Sequence, residues 1–163
     1  MTDPVEETLE PASGENRETQ PAPDHGPDHG YVLDEQIGYL LRKAYQRNAV
    51  IFSEKIHDLT PTQFAVMARL TELGSVSQNQ LGRTVGLDVA TTKGVVDRLS
   101  ARGFVTSKKD PNDRRRQLIS LTPEGWRHFL SNASLGLEVS AETIAPLTQS
   151  EQRTLLRLLK KMQ

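Results

Sequence analysis

Helix-start signals recur along the chain beyond residue 30, and this recurrence constrains the fold more than any other feature of the sequence. In each signal a Ser, Thr or Asp that can cap a helix precedes an apolar run with helical spacing, and in two of them Pro takes the first helical position. Three continue as capping boxes, with Gln or Glu three residues after the cap. The caps are Thr60, Ser77, Asp88, Thr122 and Thr148. Together with an apolar helical stripe over Leu33–Ile56, they predict six helices.

Strand signals are found between the fourth and fifth predicted helices. Phe104–Ser107 and Gln117–Leu121 are short runs in which apolar and polar residues alternate, on either side of a segment rich in Asp and basic residues. Two such runs around a turn predict a β-hairpin. The predicted fold class is therefore mainly α, with a two-stranded hairpin ahead of two closing helices.

The formal net charge of −1 conceals two oppositely charged parts. Residues 1–30 hold eight acidic residues against one basic residue, and five of the nine prolines. The other 133 residues hold 19 basic residues against 13 acidic ones. An acidic, proline-rich segment buries too little apolar surface to offset its chain entropy, so residues 1–30 are predicted to be a disordered tail. Residues 31–163 are predicted to form one basic domain.

Several classes of function are disfavoured because the sequence lacks the residues and motifs that they require. It has no cysteine, which excludes disulfides, thiolate metal sites and cysteine nucleophiles. We find no phosphate-binding glycine loop, metal-ligand cluster or Ser–His–Asp pattern, so neither catalysis nor a cofactor is expected. Zinc binding through His57 and His128 is an unsupported alternative. No apolar run approaches the ~20 residues of a membrane span, and a soluble cytoplasmic protein is expected.

Residues 77–102 carry a pattern typical of a helix-turn-helix. Leu81 and Val85 give the first helix a buried stripe, and Gly86 can supply a left-handed turn. The second helix starts at Asp88, and its inward face is predicted to carry Thr92, Val95, Val96 and Leu99. Its outward face then carries Ala90, Thr91, Lys93, Gly94, Asp97 and Arg98. Taken alone, the pattern also fits an ordinary amphipathic helix pair.

Basic residues cluster on this second helix and on the hairpin that follows it. From Lys93 to Arg116 there are eight basic and three acidic residues in 24 positions. Duplex DNA carries one charge per ~1.7 Å of its axis, so a basic hairpin beside a groove-reading helix suits it well. Asp110 and Asp113 lie within this basic cluster, where a carboxylate two residues from an arginine can hold the guanidinium in one orientation for a narrow minor groove. The hairpin therefore favours DNA binding over a solvated loop.

LTPTQFAVMARL (59–70), VVDRLSARGFV (95–105) and DPNDRRRQLISLTPEG (110–125), with the helix-turn-helix between them, resemble the MarR family of winged-helix transcriptional regulators. The resemblance implies a winged helix-turn-helix fold in which the hairpin is the wing. It implies a DNA-binding lobe at about 60–122 and dimerisation helices at about 31–57 and 123–163. Its expected partners are a double-stranded DNA operator, a second copy of the chain and a small-molecule effector.

The resemblance also implies which residues contact DNA, with Asp88–Arg102 as the recognition helix and Arg115, oriented by Asp113, as the minor-groove arginine. The expected contacts are Ser77, Gln78, Asn79, Ala90, Thr91, Thr92, Lys93, Arg98, Lys108, Asp113, Arg114, Arg115 and Arg116. Family members often carry a basic residue where Gly94 stands. Base readout in this chain is therefore expected to depend more on Thr91, Thr92 and Lys93.

MarR-like regulators are expected to place an effector cleft between the dimerisation helices and the DNA-binding lobe. The candidate lining residues are Tyr39, Arg42, Tyr45, Arg47, Phe64, Met67, Trp126 and His128. Aromatic walls and an arginine suit an aromatic carboxylate or an aromatic acyl-CoA, and residues 88–99 resemble members that control aromatic-acid catabolism. A repressor released from an inverted-repeat operator by such a ligand is expected. The alternative is a constitutive or architectural DNA-binding protein without an effector.

Overall fold

A computed structural model describes residues 29–111, 113 and 116–163 of the chain. The chain divides into a first unit that ends at Val32 and a compact second unit, Leu33–Gln163. The predicted disorder of residues 1–30 falls almost entirely outside the described residues, so it stays a prediction.

The second unit contains, within its described residues, six α-helices and three β-strands. The helices are α1 (Ile37–Lys55), α2 (Pro61–Leu73), α3 (Gln78–Val85), α4 (Val89–Ala101), α5 (Pro123–Thr143) and α6 (Gln149–Lys160). The strands are β1 (Val76–Ser77), β2 (Val105–Lys109) and β3 (Gln117–Leu121). The predicted mainly α class and the six helices are confirmed.

The capping residues begin the helices largely as the sequence predicts. The boxes at Thr60 and Thr148 are both reciprocal, with each side chain bonded to the other residue's backbone N–H. At Ser77 only one half of the capping box forms. The Ser77 hydroxyl accepts from the Gln80 N–H at 3.3 Å, but the Gln80 side chain makes no bond back to the Ser77 N–H. Ser77 also ends β1 opposite Leu118, so its backbone belongs to the sheet.

The first helix is shorter than the stripe over Leu33–Ile56 predicts. Leu33–Glu35 forms a separate 3-10 turn, and Gln36 is extended at φ −83° and ψ 125° before α1 begins. The Gln36 side chain makes no capping bond to the helix. Apolar spacing continues through such a break, which is why the sequence pattern did not reveal it.

The sheet is antiparallel with strand order β1–β3–β2, so the predicted hairpin gains a third strand. Val76 lies opposite Ile119 on one side of β3, and Ser107 lies opposite the same residue on the other. With only two residues, β1 is too short to show an alternating pattern. It joins the start of α3 to the wing, so the sheet connects these two neighbouring parts of the predicted DNA-binding lobe.

The core is formed mainly by the middle of the chain, while α1, α5 and α6 leave apolar side chains exposed. Val66, Met67, Leu81 and Leu99 are completely buried, and Val139 of α5 is 3% exposed. Several apolar side chains of α5 do not pack into this core. Trp126, Leu130 and Leu137 are 43%, 55% and 74% exposed, respectively.

Gly125 lies in the first turn of α5, against the backbone that leads into β2. A Cβ atom added to Gly125 would lie 1.9 Å from the carbonyl oxygen of Phe104. Thr122 closes the same contact, since its N–H donates to Phe104 O at 3.0 Å and its hydroxyl accepts from Gly125 N–H at 2.9 Å. Glycine is therefore required where α5 meets the sheet.

We predict that Gly125→Ala lowers the free energy of unfolding by about 1–3 kcal/mol, because the backbone must move to admit the methyl group. Gly38→Ala is the matched control, since its added methyl group meets nothing within 4 Å. That change should be neutral or stabilise α1 by up to ~1 kcal/mol. Urea unfolding followed by circular dichroism measures both, and equal stability of the two variants would contradict the close contact.

Candidate nucleic-acid interface

Helices α3 and α4 form the predicted helix-turn-helix, and their close approach fixes its geometry. Gly86 adopts the left-handed conformation, at φ 69° and ψ 34°, at the end of α3. Gly82 lets the two helices touch, because a Cβ atom there would lie 2.6 Å from Thr92 Oγ1. With Leu81 and Leu99 fully buried beside this contact, one face of α4 is held against α3 and the opposite face is turned outward.

Thr92 belongs to the buried face, so the expectation that it reads bases is wrong. It is 1% exposed, and its hydroxyl donates to the backbone carbonyl of Asp88 at 2.7 Å. Its neighbours Val95, Val96 and Leu99 are buried too, which confirms the predicted inward face. Thr92 therefore packs α4 against α3 and cannot reach DNA without disrupting that contact.

The outward face of α4 carries several polar groups that are already paired with one another. Ala90, Thr91, Lys93, Asp97 and Arg98 are exposed, as predicted, and Gly94 is half-buried. The ammonium of Lys93 lies 2.6 Å from Asp97 Oδ2. The Arg98 guanidinium, in contrast, lies over Gly94, with Nη1 3.5 Å from the position that a Cβ atom would take.

Asp88 caps α4 through both oxygens of its carboxylate. The Thr91 hydroxyl donates to Oδ2 at 2.6 Å, and the Thr91 N–H donates to Oδ1 at 2.8 Å. These bonds, the side-chain one first, hold the pKa of Asp88 below its ordinary value. A carboxylate at a helix N-terminus also interacts favourably with the helix dipole.

The wing is formed by β2 and β3, and its described end exposes Lys108 and Arg116. The Asp110 N–H donates to Arg116 O at 3.0 Å, and the Arg116 N–H donates to Asp113 O at 2.9 Å, which closes the turn. Arg114 and Arg115 lie outside the described residues. Their DNA contacts, and the proposed orientation of Arg115 by Asp113, stay predictions.

A polar groove of about 320 Å³ lies between the start of α3 and the wing. It brings together four of the expected DNA contacts with two residues that the sequence pattern missed: Ser77, Gln78, Asn79 and Arg116, with Arg83 and Gln117. The N-terminus of α3 opens into this groove and carries partial positive charge. Backbone N–H groups and two arginines around one groove suit a phosphate of a DNA strand.

Among the effector candidates, Tyr45 lines a cavity of about 370 Å³ where α1 meets α2 and the α3–α4 turn. The other lining residues are Pro61, Thr62, Ala65, Val85 and Leu87. Arg42 stands three residues before Tyr45 on α1, with its guanidinium 5.2 Å from the ring centre of Tyr39. The cavity wall is mostly apolar, with an aromatic ring on the α1 side.

Three other effector candidates are engaged in packing or in helix termination. Phe64 packs between two phenylalanine rings at centroid distances of 5.7 and 5.1 Å, and Met67 is completely buried. Arg47 donates from Nε and Nη2 to the carbonyl oxygens of Thr143 and Glu142, at 3.0 and 3.1 Å. It thereby caps the C-terminus of α5. The structure does not bring these residues into the cavity beside Tyr45.

His128 belongs to a cluster that joins the end of α4 to α5. Its ring stacks on Phe104 at 4.3 Å, and its Nε2 lies 2.9 Å from Asp58 Oδ2 but out of hydrogen-bonding direction. Arg102 donates to the backbone carbonyl of Asp58 and, at 3.0 Å, to Asp58 Oδ2, with its guanidinium over the Phe104 ring at 4.6 Å. The predicted effector role of His128 finds no support in this arrangement.

Within the described part of the chain, no three His, Asp or Glu side chains lie close enough to hold a metal ion. The described helices include none that is both long and apolar enough to cross a membrane.

Comparison with known proteins identifies the family. Residues 59–116 match the MarR family model. The HTH-type transcriptional repressor NicR of Pseudomonas putida is 37% identical over 134 residues, which cover 81% of this chain and 85% of NicR. The chain belongs to the MarR family.

Solved structures of regulators also match over most of the chain, and each of the following two covers 81% of it. A probable transcriptional regulator from Pseudomonas aeruginosa is 47% identical, with a TM-score of 0.76 over all of its chain. BpsR of Bordetella bronchiseptica, whose DNA binding is regulated by 6-hydroxynicotinic acid, is 36% identical, with a TM-score of 0.77 over 96% of its chain. This MarR-family chain is thus a DNA-binding transcriptional regulator with a winged-helix fold, as the sequence resemblance predicted.

Asp88→Ala should shorten the recognition helix at its start, lower the thermal-unfolding midpoint by a few degrees and weaken DNA binding. Because the folded pKa of Asp88 is depressed, its stabilising effect is present above the ordinary Asp pKa and is lost as pH falls through the folded value. The difference in midpoint between the wild type and the variant should therefore shrink in acid. A difference that stayed constant down to pH 2 would contradict the capping role.

Proposed function

We propose that the protein is a homodimeric repressor that binds an inverted-repeat operator and releases it when an aromatic carboxylate binds beside Tyr45. The proposal is supported most by one observation: the cavity walls come both from α1 and from α2 and the α3–α4 turn. A ligand in this cavity contacts α1 and the DNA-binding lobe at the same time. It can therefore favour one arrangement of these parts over another.

The DNA side of the proposal rests on the outward face of α4 and the groove beside the wing. Arg83 and Arg116 lie at the groove and Lys108 on the wing, where they can neutralise phosphates on either side of the helix that enters the major groove. Phosphate contacts set the position of the protein on the duplex, while the outward residues of α4 are available to base edges.

The ligand class is proposed from the cavity and from two relatives. A largely apolar cavity of about 370 Å³ suits one aromatic ring, and Arg42 can provide a cation for a carboxylate from the adjacent turn of α1. BpsR is regulated by 6-hydroxynicotinic acid, an aromatic carboxylate, and NicR is a repressor of similar sequence. An aromatic acyl-CoA would have to leave most of its length outside a cavity of this size.

Release requires the ligand to distinguish two arrangements of the protein. Moving an equilibrium from 99:1 to 1:99 takes about 5.5 kcal/mol of differential affinity. A single charge-assisted hydrogen bond contributes about 1.5–3 kcal/mol, so the carboxylate and the ring must both bind better in the released arrangement. In a dimer with two cavities, each bound ligand would supply part of this differential affinity.

The homodimer is proposed from the apolar surface that the isolated chain leaves exposed. Ile37 and Leu40 of α1, Leu130 and Leu137 of α5, and Leu156 of α6 are between 47% and 74% exposed. Single exposed apolar residues are common, but several on neighbouring elements indicate an interface. A twofold dimer presents two recognition helices and so calls for an inverted-repeat site.

We predict that the wild-type protein has a solution mass twice the chain mass of 18.2 kDa in light-scattering chromatography. Leu130→Glu/Leu137→Glu should shift the mass toward 18.2 kDa and abolish tight operator binding, because buried charges disfavour the interface. Leu73→Glu, at a 39% exposed position of α2, is the control and should remain dimeric. A monomeric wild type would overturn the proposed assembly.

We predict that 6-hydroxynicotinic acid releases a duplex operator, first isolated by selection from random DNA, in a fluorescence-anisotropy titration. Arg42→Gln should raise the concentration needed for release by about 10- to 100-fold, as expected for loss of a charge-assisted hydrogen bond. Operator affinity without ligand should be unchanged. Arg157→Gln, an exposed arginine of α6, is the charge-matched control and should respond as the wild type does.

Benzoyl-CoA and benzoate form the second arm of the same titration. Release by the thioester alone would identify the acyl-CoA class in place of the free acid. Tight, sequence-specific binding that none of these compounds relieves would favour the constitutive DNA-binding alternative.

A further inference from the structure

We propose that Arg98 is the side chain through which α4 reads a guanine in each half-site, and that Gly94 positions it by leaving its guanidinium room along the helix. The inference rests on the proposed operator binding and deepens it, since it assigns base recognition to one residue. It also replaces the expectation that readout depends on Thr91, Thr92 and Lys93.

The three residues expected to read bases each already make a contact within the protein. The Thr91 hydroxyl donates to the Asp88 carboxylate at 2.6 Å, and the Thr92 hydroxyl is buried and bonded to the Asp88 carbonyl. The Lys93 ammonium pairs with Asp97 at 2.6 Å. A base contact from any of them must first break or share one of these bonds.

Arg98 is available by comparison. Within the part of the chain that the structure describes, no carboxylate lies within salt-bridge distance of its guanidinium, and its side chain is exposed on the outward face of α4. Its five N–H donors can therefore bind a ligand without first breaking an ion pair in that part of the chain.

Gly94 explains where the guanidinium lies. Helical side chains lean toward the N-terminus of their helix, so Arg98 extends over the residue four positions before it. From the position that a Cβ atom would take on Gly94, Nη1 is 3.5 Å away, Nη2 3.8 Å and Cζ 4.0 Å. The planar group thus lies along the helix over a residue without a side chain, on the path toward the N-terminal end that enters the major groove.

Guanine is the base that this geometry suits. The guanidinium donates two parallel N–H bonds that match the O6 and N7 acceptors of guanine in the major groove. Ala90, one turn before Gly94, is exposed and small, so the helix can approach base edges closely on this line. A longer residue at position 94 would occupy the space that the guanidinium uses.

The first experiment selects binding sites from random duplexes with wild-type protein and with Arg98→Ala, Arg98→Lys and Lys93→Ala. The wild-type motif should contain one guanine per half-site whose replacement weakens binding by about 10- to 100-fold. Arg98→Ala should lose that preference at this position only, Arg98→Lys should recover it in part, and Lys93→Ala should keep it. Loss of the preference in Lys93→Ala but not in Arg98→Ala would overturn the assignment.

The second experiment tests positioning with two changes at position 94. Gly94→Ala adds a methyl group in ordinary contact with Nη1 and should keep the guanine preference. Gly94→Leu should reduce it at least tenfold at the same base pair, with a thermal-unfolding midpoint no lower than that of the wild type, because leucine is the better helix former. Equal preference in both variants would overturn the role of Gly94.

These outcomes separate this inference from the proposed function. A wild-type protein that selected no motif would refute operator binding itself. A wild-type motif that persisted unchanged in Arg98→Ala would refute only the assignment of Arg98.

Discussion

The contact between Thr92 and Gly82 decides which residues of α4 face outward, and DNA recognition depends on it. Thr92 is buried with its hydroxyl bonded to the Asp88 carbonyl, while Gly82 leaves no room for a side chain between the helices. Asp88 in turn caps α4 through Thr91. If α4 rotated by one residue about its axis, Thr92 would become exposed and Lys93 would turn inward. The buried hydroxyl therefore fixes the rotation of the recognition helix as well as its packing.

A second set of contacts carries the position of α4 to the helices that are proposed to form the dimer. Arg102 at the end of α4 binds the backbone and side chain of Asp58, and it shares the Phe104 ring with His128 of α5. Gly125 presses the first turn of α5 against Phe104 O. Because these contacts pack the first turns of α5 against the residues that follow α4, a change in the tilt of α5 would displace the end of α4. In a dimer, the same contacts would set the distance between the two recognition helices. An operator whose half-sites have a fixed spacing binds only when this distance matches it.

Much of the fold could be predicted from the sequence because its determinants are local. Caps, a left-handed glycine and alternation in two short strands are visible within a few residues of one another, and they gave the helices, the helix-turn-helix and the wing. What the sequence could not reveal depends on contacts between distant residues. The two residues of β1 pair only because β3 lies beside them. Arg47 and His128 are predicted ligand contacts, but the Arg47 guanidinium binds the α5 carbonyls and the His128 ring stacks on a residue 24 positions earlier. The sequence allows two incompatible roles for Thr92, because a threonine suits both a core and a base edge, and only its burial decides between them.

The pairing of Lys93 with Asp97 separates affinity from readout on the outward face of α4. Both side chains are well exposed, at 65% and 60%, and such a pair contributes only about 0.3–0.5 kcal/mol. Lys93 can therefore leave Asp97 for a phosphate at little cost, a contact that strengthens binding to any sequence and weakens with salt. Asp97 cannot follow, because a carboxylate is repelled by the DNA backbone. Once Lys93 has moved away from Asp97, contact between phosphates and the side of α4 that carries Asp97 is unfavourable. If Arg98 reads base edges as proposed, this asymmetry would favour the orientation in which the neighbouring line of Ala90, Gly94 and Arg98 faces the floor of the groove.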